Sequence, residues 1–307
     1  LKRSPIYWMA ALSVILGASS YGLLSPFIKL TYGDGFTFEE VTVHQTGIGV
    51  VLIWLIALFR LKRWRNPFRG PWVKLVLIGV FGLALTTVLY NQTLERLDAS
   101  LSIVLLFQFT WITILLDSIT QRRWPSRFRI IAMAIVMAGT LLAVGILESG
   151  LTKVDAAGVG FGLASALTYS LFLWLTGLLE SDMDPVLQSA VMLTVGFIVI
   201  ALCYSPRAWA GEDELRMMGW GLLLGVFGQV LPTVMFTFGI ARIGSSMAAL
   251  LGAMELPVAA VAAWIVLGEQ LGTWRVTGIV LILLGIGVAE LSPSRGGAQT
   301  AGLEEKR

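Results

Sequence analysis

Long apolar runs, separated by short charged or Gly/Pro-rich breaks, divide nearly the whole chain. They lie near 6–30, 39–59, 72–94, 99–119, 128–147, 156–179, 186–204, 217–241, 245–267 and 274–291. A helix needs about 20 mostly apolar residues to cross about 30 Å of hydrocarbon, and runs of this length meet that need. They are too long and too uniformly apolar for the alternating strands of a barrel, so the pattern predicts transmembrane helices, ten of them. The closing SPSRGGAQTAGLEEKR is polar and Gly-rich, and 292–307 is expected to form a mobile cytoplasmic tail.

The same phrase occurs twice along this pattern. GVFG stands at 79–82 and again at 225–228, 146 residues later. At that offset, and without a gap, Arg96 meets Arg242, Ser100 meets Ser246, Arg129 meets Arg275 and Gly139 meets Gly285. The register holds from Gly79 to about Ala143, which reads as an internal duplication. We therefore expect a first unit over 1–150 and a second over 151–291. Each unit holds five helices, an odd number, so the second must enter the bilayer inverted. The expected fold class is an all-α polytopic membrane protein, two inverted five-helix repeats around a central cavity, an architecture suited to alternating access. The small residues Gly79 and Gly82 suggest a close helix contact as the local role of GVFG.

Composition narrows the class. The chain is 56% hydrophobic and 13% charged, whereas a soluble domain carries about 25% charged residues. A net charge of +3, scattered along the chain, is too small to point to nucleic acid. One cysteine, Cys203, builds no disulfide framework, and with one histidine, His44, it leaves no soft-ligand metal cluster. No cofactor or metal is expected. The first apolar run reads as a span rather than a cleaved signal. With the N-terminus inside, sixteen of the 22 basic residues fall on the inner side, among them Arg60, Lys62, Arg63, Arg65, Arg122 and Arg123. That bias predicts a multi-pass protein of the cell inner membrane with both termini cytoplasmic.

The stretch MELPVAAVAAWIVLGEQLGTWRVTGIVLILLGIGV, 254–288, resembles the closing helix pair of EamA-type proteins of the drug/metabolite transporter superfamily. Pro257, Gly268, Glu269, Gly278 and Gly285 carry the resemblance, and the first half repeats the pattern more weakly. The resemblance implies ten spans in two inverted halves, with helices 1, 3, 4, 6, 8 and 9 around the cavity. A bacterial exporter of amino acids, aromatic ones included, is the functional analogue it suggests. In the first half, Trp111 stands where the second has Pro257, so a proline kink is expected only in helix 9.

Polar and aromatic residues within those six helices are the candidates for a substrate site. They are Ser20 and Tyr21 in helix 1, Tyr90 and Asn91 in helix 3, and Gln108 and Trp111 in helix 4. Ser165 and Tyr169 follow in helix 6, Gln229 and Thr233 in helix 8, and Glu255 in helix 9. Ser20-Tyr21 and Thr168-Tyr169 occupy similar places in their halves. The hydroxyls also admit a reading as bonds to their own backbone. Gly22, Pro26, Pro232 and Pro257 are the expected hinge positions. Glu255 is the informative acid: a carboxylate at mid-span is costly unless it faces a wet cavity or a partner, so it suits a substrate ammonium or a coupled proton. Asp117, nearer the cytoplasmic end, is expected to pair with a base.

Absences sharpen the reading. No Lys or Arg lies at mid-membrane depth, which argues against phosphorylated substrates. There is no HExxH and no Ser–His or paired-aspartate arrangement at depth, so an intramembrane enzyme is disfavoured. The sequence thus points to a secondary transporter of small solutes in the lipid bilayer. Amino acids are the expected substrates, with proton coupling as an option and other small neutral or cationic metabolites as the alternative.

Overall fold

The computed structural model describes residues 4–59, 70–97, 99–143, 155–179, 181, 183–204, 213–268 and 272–291. Most of the basic residues behind the orientation reading, together with Glu269 and the 292–307 tail, lie outside them.

Among the described residues the chain is a bundle of ten helical rods without a strand. In chain order, α1 is Pro5–Gly33 and α2 is Phe38–Leu58. The rod α3 runs Trp72–Leu77, Ile78–Ala84 and Leu85–Arg96. Next, α4 is divided into α4a, Ala99–Leu106, and α4b, Phe109–Thr120. The following rods are α5, Arg127–Ala143, α6, Ala156–Gly177, and α7, Pro185–Cys203. Rod α8 runs Glu214–Gly225, Val226–Val230 and Leu231–Ile243. Finally, α9 is divided into α9a, Ser245–Gly252, and α9b, Glu255–Leu267, and α10 is Thr273–Glu290. Nine rods are at least 18 residues long with mean hydropathy of 1.5 to 2.4, enough to cross a bilayer; α5 has 17 described residues.

Helix starts are written locally. Ser4 accepts from the Tyr7 amide ahead of Pro5, and Thr37 forms a capping box with Glu40. Asp155 and Asp184 accept from the first amides of α6 and α7. Each cap satisfies backbone donors that a helix leaves open. Between α8 and α9, Gly244 at φ +81° makes the one-residue turn. Outward faces carry exposed Val73, Leu202, Leu215, Ile265 and Leu284, as lipid contact requires.

The two GVFG phrases fall on the same structural event. Ile78–Ala84 and Val226–Val230 are both π-helical, wide turns that disrupt the α-helical bonding ladder. The expected close contacts are present. A Cβ on Gly79 would meet Met192 and Val195 of α7, and one on Gly225 would meet Gln45 and Gly49 of α2. Likewise, Gly82 abuts Phe172 of α6 and Gly228 abuts Leu24 of α1. So α3 lies on α6 and α7 while α8 lies on α1 and α2: the neighbours exchange between halves.

Rods α5 and α10 pack side by side and run antiparallel. Gly139 faces Gly278 and Ile282, Gly278 faces Ala143 as well, and Gly285 faces Val136 and Ala132. As one rod ascends, its contacts on the other descend.

The expected proline kink in helix 9 alone is corrected here. Both α4 and α9 break, and at repeat-equivalent places, Phe107-Gln108 and Ala253-Met254. The backbone bonding around the two breaks matches: Thr110 N bonds Phe107 O and Ile112 N bonds Gln108 O, as Leu256 N bonds Ala253 O and Val258 N bonds Met254 O. Without proline, the first half uses side chains. Gln108 Nε2 donates to the Val104 carbonyl, 2.9 Å, while its own amide turns to Leu105. In α3, Thr86 Oγ1 donates to the Gly82 carbonyl, 2.8 Å; the equivalent pair in α8 is Pro232 and Gly228, where proline brings no N–H to the carbonyl. Pro26, by contrast, sits inside an unbroken α1. In α4 the break is held by the Gln108 side chain, whose counterpart in α9 is Met254, so the α9 break rests on Pro257 and Pro257→Ala should let α9 straighten. A spin-label distance between α9a and α9b longer by more than about 2 Å is the expected result, and an unchanged distance the contrary one.

Candidate functional site

Three of the four aromatic candidates, Tyr21, Tyr90 and Tyr169, come together where α1, α3, α6 and α9 meet. Glu255 is the first residue of α9b, placed by the break in α9. Its carboxylate lies within electrostatic reach of the Tyr21, Tyr90 and Tyr169 hydroxyls. Glu255, Tyr21 and Tyr90 are half-buried, while Tyr169 is 8% exposed. Among the described residues no hydrogen bond or ion pair reaches the Glu255 carboxylate. A carboxylate so placed, near three phenol hydroxyls in a membrane protein, has the chemistry to attract a cation.

Behind the tyrosines lies a chain of packed rings. Tyr21 is 6.3 Å from Phe236, which is 6.3 Å from Phe172. Phe172 stacks on Tyr169 at 5.9 Å, Tyr169 meets Phe109 edge-on at 4.7 Å, and Phe109 continues to Phe107 at 5.3 Å. These four phenylalanines are essentially inaccessible. Gly252 of α9a fits against Phe109 and Phe236. Sequence reasoning missed Phe109 and Phe236. The repeat offset is the signal that finds them: Phe109 is the counterpart of Glu255, and Phe236 of Tyr90.

The remaining candidates separate by contact. Ser20 Oγ donates to the Phe227 carbonyl, 2.6 Å, within the π turn of α8. Ser165 Oγ bonds its own helix at Gly162, 2.7 Å. Gln108 is used at both ends, since its Oε1 accepts from Trp111 Nε1 at 2.9 Å. Trp111 is 40% exposed, on the side of α4b away from its buried Thr110 and Thr113, and it has no ring contact with the aromatic chain. Gln229 packs its Cβ and Cγ on Gly49 of α2. Asn91, 7% exposed, has an amide nitrogen without a partner among the described residues, as has the fully buried Thr110 hydroxyl, while the buried Thr233 hydroxyl lies beside that of Tyr21. Gly22 presses α1 onto the Glu255 carbonyl. Asp117 differs from its expected pairing with a base: Oδ2 accepts from Ser246 Oγ and Oδ1 from Gln121 Nε2.

Two apolar grooves, about 420 and 330 Å³, open between α2, α7 and α8 and between α1, α9 and α10. No polar residue lines either groove.

The comparisons with known proteins agree with this architecture. The profile of the EamA-like transporter family matches residues 8–145 and again 156–290. The uncharacterized transporter YcbK of Bacillus subtilis (strain 168) is 26% identical over 277 residues, 86% of this chain and 87% of that protein. The uncharacterized transporter sll1319 of Synechocystis sp. (strain ATCC 27184 / PCC 6803 / Kazusa) is 24% identical over 322 residues, 95% of this chain and 97% of that protein. One crystal structure, 16% identical in sequence, superposes with a TM-score of 0.74 over 95% of this chain and 100% of its own. Fold and relatives together define a polytopic membrane transporter rather than an enzyme. The chain belongs to the EamA-like transporter family.

Proposed function

We propose that this transporter exports amino acids, with aromatic and other apolar ones favoured, by alternating access between two inverted halves. The observation that carries the reading is the unpaired Glu255 carboxylate facing Tyr21, Tyr90 and Tyr169. It supplies a partner for a substrate ammonium, and the rings supply apolar and cation–π surface for the side chain. The same carboxylate suits a proton that leaves as the ammonium arrives. Asn91 offers a neutral amide, and Thr233 a hydroxyl beside Tyr21. The inversion is supported by the antiparallel α5–α10 pair, whose contacts exchange under the repeat offset: Gly139 with Ile282 answers Val136 with Gly285. Export, rather than uptake, follows the resemblance, and cytoplasmic termini in the cell inner membrane follow the positive-inside reading.

Counterflow in proteoliposomes tests the assignment. Labelled aromatic and branched amino acids should exchange saturably, and simple amines, nucleosides and sugars should compete at least about tenfold less well. Saturable exchange of amines or nucleosides with none for amino acids would replace the substrate class.

A further inference from the structure

We propose that Asp117 and Ser246 form a latch that holds shut the end of the bundle where α1 begins and α10 ends, the termini end. The inference rests on the alternating-access reading and goes beyond it by naming the residues that hold one state.

The packing is unequal at the two ends. Rods α3 and α4 pack on α6, while α8 and α9 pack on α1, giving two groups that divide the chain across its repeats. At the termini end, where Tyr7 bonds Glu290, the groups meet: α9a lies on α4b and on α6, and the last segment of α8 lies on α6. Exchanging the halves generates the corresponding pairings at the other end, α4a on α9b and on α1, and the last segment of α3 on α1. Among the described residues these make at most marginal contact. One end is closed and the other is apart, with Tyr21, Tyr90 and Glu255 half-buried between them.

Two layers seal the closed end. The deeper is the ring chain Phe109–Tyr169–Phe172–Phe236. The outer one is the hydrogen bond from Ser246 Oγ, on α9a, to Asp117 Oδ2, on α4b, with Gln121 holding the second carboxylate oxygen. Beside it, Trp174 Nε1 of α6 donates to Thr120 Oγ1 of α4b, 2.9 Å, and Gly177 abuts Ser245. Among the described residues the Asp117–Ser246 bond is the side-chain bond that joins the two groups here, so opening this end must break it. Its repeat counterpart cannot form, because the residue equivalent to Asp117 is Ala263, which has no acceptor side chain. The latch therefore biases the empty transporter toward the state with the termini end closed.

Cysteine labelling in detergent tests this on the full chain carrying Cys203→Ser. Ala249, fully buried on α9a between Ser246 and Gly252, is the reporter as Ala249→Cys. Ser246→Ala and Asp117→Ala should each raise its labelling rate by an impermeant maleimide about tenfold, the effect of one lost hydrogen bond on a two-state balance. Asp117→Asn, which keeps an acceptor oxygen, should stay within about threefold of the parent. The double Ala variant should be no faster than either single one, as one shared bond demands. Ile53→Cys, buried in the separate core of α2 and α7, should not change. An unchanged rate at Ala249→Cys in the Ser246→Ala chain overturns the latch, as does an equal rise at Ile53→Cys, which means general loosening. The readout needs no substrate, so an absence of amino-acid flux leaves it standing.

Discussion

Glu255→Gln is expected to lower counterflow of an ammonium-bearing substrate by about 10- to 100-fold, without loss of folded protein. The glutamine keeps the volume and removes the charge, so the loss measures the charged interaction, which is worth about 1.5–3 kcal/mol for a hydrogen-bonded ion. The effect is large because the site offers no second acid: the other members of the cluster are the hydroxyls of Tyr21, Tyr90 and Tyr169. The folded state should tolerate the change, since the carboxylate bonds nothing among the described residues. A neutral substrate, if one is carried, should be far less affected. Where parental flux depends on pH, the Gln variant should lose that dependence; retaining it would assign proton coupling elsewhere. Flux at the parental level would remove Glu255 from the site.

Gly22→Ala is expected to destabilise the bundle by about 1–3 kcal/mol, the usual cost of overpacking. The added methyl would lie 2.5 Å from the Glu255 carbonyl and 2.9 Å from the Ala259 amide nitrogen, backbone atoms of α9b that cannot swing aside. Only separation of α1 from α9b relieves the clash, and that shifts Glu255 with its helix. Transport should therefore fall along with the thermal midpoint in detergent. Gly160→Ala is the matched control, because nothing lies within 4 Å of its Cβ, and its midpoint should hold or rise. Equal behaviour of the two variants would show that the α1–α9b crossing is not close.

Much of the framework was legible because membrane helices announce themselves by length and apolar character. The span near 245–267 is a case: its outer bounds, Ser245 and Leu267, are those of the folded rod. Its interior was not legible. Proline marks a bend for a reader of sequence, but α4 breaks where Gln108 donates to a carbonyl four residues back, and nothing in a glutamine codon distinguishes that use. The candidate site divides similarly. Tyr21, Tyr90, Tyr169 and Glu255 stand out in the sequence because large or charged groups at depth are rare and need a reason. Ser20, Ser165 and Gln108 were chosen by the same polarity rule and proved to be tied to backbone, the commonest fate of short polar groups in lipid. Phe109 and Phe236 escaped because a phenylalanine in an apolar span carries no mark of its position.

The matched distortions of the two halves are secured by different chemistry. A ring closed onto its own backbone can never restore the missing donor, so the bends at Pro232 and Pro257 are permanent elbows. A side-chain amide can let go, and when that of Gln108 does, its own backbone N–H, now turned to Leu105, is still there to take the carbonyl back. Twins of one ancestor thus differ in suppleness, one stiffly set and one able to straighten and bend again.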